Sequence, residues 1–343
     1  MPHNVRTRTS RGPVVFYALL IAGVGIVLAM MALGDAGTFA WSQKTAESRL
    51  KPGQIPFDGE RAYAHLKAIC DIGSRVSGTE GMAQQQTYLK AHFEKLGGSV
   101  SLQEFDVRHP LYGSRTRLGN MIVQWHPDRK ERVVLCAHYD TRPFPDEDPD
   151  PTKRRDKFLG ANDGASGAAL LCELGQHMPK LRSKYGVDFV LFDGEEFVYD
   201  KQRDPYFLGS EHFARDYVAN PPGHRYRWGV LVDMIGDAEL QIYREENSMS
   251  WPETRPLVLD IWNTARQLGV REFINVNRHT VRDDHLALRN IARIPTCDII
   301  DFDYPRPRGP SYWHTTRDIP ENCSALSLAK VGWVLVEWLK RAK

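Results

Sequence analysis

The stretch Val187-Asp-Phe-Val-Leu-Phe-Asp-Gly-Glu195-Glu196 sets the tightest limit on what this chain can fold into. Its apolar run reads as a strand buried on both faces, the form strands take in parallel sheets covered by helices. The run stops abruptly in a turn that carries two adjacent carboxylates. In open α/β sheets, ligands bind just beyond such strand ends.

The rest of the chain repeats the pattern. Strands are predicted over residues 99–107, 120–125, 132–137, 187–192, 228–234 and 295–300. Helical spacing falls over 60–70, 79–96, 164–178, 210–218, 256–268 and 322–340, and Gly97-Gly98 offers a left-handed stop to the second of these. Such alternation predicts a three-layer α/β/α sandwich whose central mixed sheet is mainly parallel, with the first two strands on an antiparallel edge.

This domain is expected over residues 58–343, a length one α/β unit can fill. Residues 14–34 are apolar and long enough to cross a bilayer as a helix, and Arg6, Arg8 and Arg11 precede them. Those charges favour keeping residues 1–13 in the cytoplasm, so that everything beyond a linker at 35–57 faces the other side. The rival reading is a cleaved signal peptide, for which Ala36-Gly-Thr-Phe-Ala40 supplies small residues and which leaves a secreted domain. Charged residues make up 26% of the chain and the formal net charge is +2, an ordinary surface without the basic excess that nucleic-acid binding requires. The five cysteines form no CxxC pair, so zinc here needs oxygen and nitrogen ligands, and no particular disulfide is expected.

Five such ligands lie far apart in the chain, His138, Asp163, Glu196, Asp233 and His314, the first four at or just beyond predicted strand or helix ends. His138 follows a buried strand, with Asp140 two residues on to orient it. Asp163 lies among small residues in Gly160-Ala-Asn-Asp-Gly-Ala-Ser-Gly, at a helix start where simple N-capping is the alternative role. Glu195 and Glu196 repel each other unless a cation or a shared proton relieves them, which suits one metal ligand and one general base. Asp233 closes another strand, and Tyr312-Trp-His314 supplies the last imidazole. Together they suit one zinc ion, with room for two. Residues 143–157, dense in proline, aspartate and then basic groups, suit a solvated loop beside the site, most simply a plain surface insertion.

Taken with Ile72-Gly-Ser-Arg75, Ser77-Gly78, Ala137-His-Tyr-Asp140, Leu208-Gly-Ser210, Asp283-Asp-His285 and Trp313-His-Thr315, these residues resemble the zinc peptidase family M28. Phe192-Asp-Gly-Glu-Glu196, the doubled aspartate before His285, and Trp313 look like its glutaminyl-peptide cyclotransferase branch. Asn162-Asp-Gly-Ala-Ser-Gly167 looks at least as much like the aminopeptidases, and Phe197 to Arg203 lacks the tryptophan of animal-type cyclotransferases. The resemblance implies that Asp163, Glu196 and His314 hold the zinc common to both branches. His138 and Asp233 would complete a second ion site, as in the aminopeptidases. Glu195 would be the proton shuttle, with Asp283 and Asp233 in support and Trp313 walling the substrate pocket.

Two reactions follow from one ligand set. In the first, the α-amine of an N-terminal glutamine attacks its own side-chain carbonyl, releasing ammonia and leaving a pyroglutamyl peptide. In the second, the same glutamate activates water against the first peptide bond. Peptide or protein N-termini are the expected partners in both. A binding ectodomain without catalysis is the third reading, disfavoured because the ligands and the shuttle are all present. His285 has no assigned role, and oligomeric state has no sequence signal.

Overall fold

Asp58 starts helix α1 (Gly59–Asp71) by accepting the Arg61 N–H at 3.0 Å. The structure, a computed structural model, describes residues 48–306 and 310–342. The expected cytoplasmic segment 1–13, the apolar segment 14–34 and residues 35–47 of the expected linker lie outside them. No helix among the described residues is long and apolar enough to cross a membrane. A second helix, α2 (Glu80–Lys95), ends where Gly97 takes φ 90°, a left-handed stop that needs no Cβ.

The hairpin β1 (Ser99–Arg108) and β2 (Arg115–Trp125) is followed by β3 (Glu131–His138), α3 (Ala165–Gly175), β4 (Gly186–Phe192), α4 (Leu208–Ala219) and β5 (Arg225–Asp233). Next come β6 (Ile242–Arg244), α5 (Glu246–Ser250), α6 (Arg255–Leu268), β7 (Phe273–Asn277), α7 (His285–Asn290), β8 (Thr296–Ile300) and α8 (Ala325–Arg341). The main sheet has the order β1-β2-β4-β3-β5-β8. Strands β4, β3, β5 and β8 are parallel, whereas β1 and β2 form the expected antiparallel edge. The short parallel pair β6–β7 and the helices α5 and α7 were not legible in the sequence pattern, being too brief to show a period.

The pleat of β3 sends alternate side chains to opposite faces. Val133, Leu135 and Ala137 enter a core shared with Leu66 of α1, Ala168 of α3 and Leu335 of α8, while Val134 and Cys136 meet Phe213 of α4 and Leu288 of α7. Burial of each large apolar side chain contributes about 1.5–3 kcal/mol. The domain also packs from further upstream than residue 58. Ser48 donates N–H and Oγ–H to Glu272, both at 2.9 Å, and Ile55 and Phe57 lie in the core, so this part of the expected linker belongs to the domain.

At the end of the sheet remote from the strand C-termini, Arg132 and Asp188 form a fully buried ion pair. Arg132 Nε donates to Asp188 Oδ2 at 3.0 Å, and the Tyr226 hydroxyl donates to the same oxygen at 2.5 Å. All five cysteines are buried and free.

Candidate active site

Because β3, β4 and β5 run parallel and adjacent, the residues at their C-terminal ends share one rim. His138 is the last residue of β3, Asp233 the last of β5, and Glu195 and Glu196 follow β4. Asp163 precedes α3, and Gly164 between them takes φ 90°. A Cβ there would stand 2.8 Å from the Asp140 carbonyl oxygen and 3.0 Å from His138 Cε1, so the ligand loop passes His138 only because this residue is glycine. His314 arrives on a later loop with φ 53°, a costly backbone for a residue with a Cβ and one that clusters at functional sites.

These side chains converge. His138 Nε2 lies 3.1 Å from Asp163 Oδ1 and 3.2 Å from Asp233 Oδ1. His314 Nε2 lies 3.2 Å from both Asp163 Oδ2 and Glu196 Oε1. All are buried. Yet His314 Nε2 and Asp163 Oδ2 make no hydrogen bond, although buried polar atoms nearly always do. Close nitrogen and oxygen donors without hydrogen-bond geometry are what a bound cation requires, and this donor set suits zinc. His138, Asp163 and Asp233 by themselves bring three donor atoms within 4.8 Å of one another.

Burial pushes the Glu195 carboxyl well above the ordinary carboxylate range, and neighbouring Glu196 pushes it the same way. For Glu196, burial is outweighed by His314 and Arg142, which bring it down to about 2. Burial, then Asp233 and Asp284, raises Asp283 well above its usual range. The adjacent carboxylates thus divide into one held ionised and one inclined to carry a proton, the division acid–base chemistry uses.

Beside these groups opens a cavity of about 340 Å³. Asp163, Glu195, Glu196, Asp233 and Asp283 supply its acidic lining, while Tyr206, Ile300, Phe302 and Trp313 supply aromatic and apolar surface. Trp313 stacks on His314 with ring centroids 3.8 Å apart. The expected site residues therefore all meet at this rim or line this cavity.

Two expectations need correction. Asp140 lies 3.7 Å from His138 Nδ1, but its hydrogen bonds come from the N–H groups of Glu195 and Glu196 at 3.2 and 3.0 Å and from Ser77 Oγ at 3.3 Å. It therefore fixes the turn after β4 more directly than the imidazole. The loop over residues 143–157 is no plain insertion: Asp148 accepts from the N–H and hydroxyl of Thr316, and Glu147 N–H donates to the His314 carbonyl at 3.1 Å. His285, left without a role, is fully buried between Glu245 and Asp298 and does not line the cavity.

Two contributors were missed. The Asp318 carboxylate accepts the N–H groups of Asn162 and Asp163 at 2.7 and 3.1 Å, holding the ligand loop from a distant segment. Buried Arg142 donates to Glu196 Oε2 at 2.8 Å. Neither left a sequence signal, because Arg142 lies in a loop, where spacing to Asp146 has no periodic meaning, and Asp318 acts across a distant segment.

A mixed α/β sheet carrying imidazole and carboxylate donors at its strand ends defines a zinc exopeptidase-type domain, and the chain belongs to peptidase family M28, which matches residues 120–339. Within that class it is similar to the glutaminyl cyclase of Fimbriiglobus ruber, with 40% identity, coverage of 84% of this chain and 97% of that one, and a TM-score of 0.79. It is also similar to a leucine aminopeptidase precursor from Bacteroides thetaiotaomicron, at 30% identity over 84% of this chain and 98% of that one with a TM-score of 0.76. The glutaminyl-peptide cyclotransferase of Drosophila melanogaster is 26% identical, over 77% of this chain and 76% of its own length.

Proposed function

We propose that the protein is a zinc-dependent glutaminyl-peptide cyclotransferase, converting the N-terminal glutamine of peptides or proteins to pyroglutamate with release of ammonia. The observation that carries this reading is the buried Asp163–Glu196–His314 triad with the Glu195 carboxyl lining the adjoining cavity. The likeness to glutaminyl cyclases supports it. Asp163, Glu196 and His314 would hold zinc, which supplies a Lewis acid for the side-chain carbonyl oxygen of the substrate glutamine.

The protein's own groups do the rest. Trp313 and Phe302 pack against the substrate's alkyl chain and exclude water. Glu195 accepts a proton from the α-amine as its nitrogen bonds to the side-chain carbon, then delivers that proton to the departing amide nitrogen. One C–N bond forms, one breaks, and ammonia leaves. Asp283 and Asp233 border the same cavity and support this proton traffic.

An M28 aminopeptidase is the second reading, favoured by one observation: His138, Asp163 and Asp233 form a compact second donor group. Incubating the protein with Gln-peptides and Leu-peptides separates the two. Ammonia without a new free amino acid supports cyclisation; liberated leucine without ammonia overturns it.

The apolar segment 14–34 with its preceding arginines further supports a membrane-anchored protein whose domain works outside the cytoplasm. Retention of the full chain in membranes after carbonate extraction, with the domain open to external protease, is expected. Release by carbonate would reject the anchor.

A further inference from the structure

A guanidinium beside a cation site is an electrostatic liability, because two positive groups sharing a low-dielectric pocket repel. Arg142 sits in that position, 1% exposed at its side chain and bonded to a proposed zinc ligand. Its polar contacts are all accounted for. Nη1 donates to Glu196 Oε2 at 2.8 Å, Nε donates to Asp146 Oδ1 at 2.6 Å, and Nη2 reaches Asp146 Oδ2 at 3.1 Å and the Tyr206 hydroxyl at 3.5 Å.

The pairing is selective. Arg142 takes Oε2 of Glu196, leaving Oε1 to face His314 Nε2 at 3.2 Å. Asp146, held in the guanidinium fork, lies 3.8 Å from the other nitrogen of that same imidazole, His314 Nδ1. One planar group therefore fixes Glu196 directly, and Asp146 anchors that group along its other edge. Asp146 also balances the charge, so the Arg142–Asp146 pair is neutral and what it contributes is geometry. His138 and Asp233, by contrast, have no arginine or lysine ion-paired to them among the described residues.

We propose that Arg142 is the positioning residue of the zinc site, restricting Glu196 to one ligating oxygen while Asp146 holds the guanidinium in place. This rests on the zinc-site reading above. Ligands held by such outer partners lose about 10–100-fold in metal affinity when the partner is removed. Lysine keeps the charge but cannot bind Asp146 in a fork while reaching Glu196, so Arg142→Lys is no conservative change here.

The test is zinc affinity of the purified, metal-stripped protein, measured by competition with a chromogenic chelator. Arg142→Lys and Arg142→Met are both expected to bind zinc about 10–100-fold more weakly than the parent, with a cooperative melting transition in each metal-free variant showing that it is folded. Excess free zinc should restore most of the lost turnover in each. If Arg142→Met binds zinc as tightly as the parent or more tightly, repulsion outweighs positioning and the proposal is overturned. Should Arg142→Met fail to fold, the near-isosteric Asp146→Asn is expected to weaken zinc binding, and unchanged affinity in that variant overturns the proposal equally. A parent protein that takes up no zinc at all rejects the underlying site reading instead.

Discussion

Asp163 turns one carboxylate oxygen toward each of two imidazoles, Oδ1 standing 3.1 Å from His138 Nε2 and Oδ2 3.2 Å from His314 Nε2. It is the residue common to both halves of the rim. Asp163→Ala should therefore abolish zinc binding at either half, a loss beyond the about 100-fold that outer partners cost. Zinc content after dialysis checks this, and an Asp163→Ala protein that keeps stoichiometric zinc rules out the shared-ligand arrangement.

Glu195 lines the cavity without belonging to the His314 triad, so its removal should separate chemistry from metal binding. Glu195→Gln is expected to retain zinc and to lose about 10²–10⁴-fold in turnover, the usual contribution of a general acid–base group. Near-normal turnover in this variant would end its assignment as shuttle.

Trp313 covers His314 by stacking and contacts Phe302, with ring centroids 5.9 Å apart in the second pair. Replacing it by alanine removes wall without removing a ligand. Trp313→Ala should raise KM for Gln-peptides about 10–150-fold, in line with the roughly 1.5–3 kcal/mol of one large apolar contact, with zinc content unchanged. An unaltered KM would take Trp313 out of the substrate wall.

Arg132 and Asp188 test stability apart from catalysis. Removing one partner of a fully buried pair leaves an uncompensated charge and costs about 3–5 kcal/mol. Asp188→Asn should shift the urea midpoint accordingly while the folded variant keeps its zinc affinity. An unchanged midpoint would mean the pair is neutral to stability.

His65 gives a pH signature. Burial lowers its pKa to about 4, with His92 adding in the same direction. An unfolded imidazole titrates near about 6.5, so above that pH neither state binds the proton and the stabilising contribution is complete. As pH falls from about 6.5 toward 4, the unfolded chain takes up a proton the folded one refuses, and stability drops. The limiting slope of about 1.4 kcal/mol per pH unit is reduced by the ring's partial exposure to roughly 1 or less. His65→Gln should flatten the profile in that window, measured by denaturation at each pH; an identical slope would exclude the residue.

The sequence revealed the strand ends and hid most of what holds them. Asp233 and Glu196 were legible because an apolar run that stops at an acid is unusual, and His138 because it ends such a run. Asp318 was not, since its work is to accept two backbone N–H groups across 155 and 156 positions, a contact with no periodicity. Asp140 was assigned to the adjacent imidazole by spacing, yet its acceptor oxygens went to the turn after β4, where two N–H groups lacked other partners. In the fold, three-residue β6 and six-residue α7 were below the length at which a repeat can be counted.

The grip of Asp318 on Asn162 and Asp163 carries a consequence for synthesis. A nascent chain that has emerged only as far as β8 already owns the strands and most of the acids, but lacks both His314 and the carboxylate that shapes the loop before α3. Competence arrives only with the segment that carries His314 and Asp318, so products terminated before it would be inert rather than partly active.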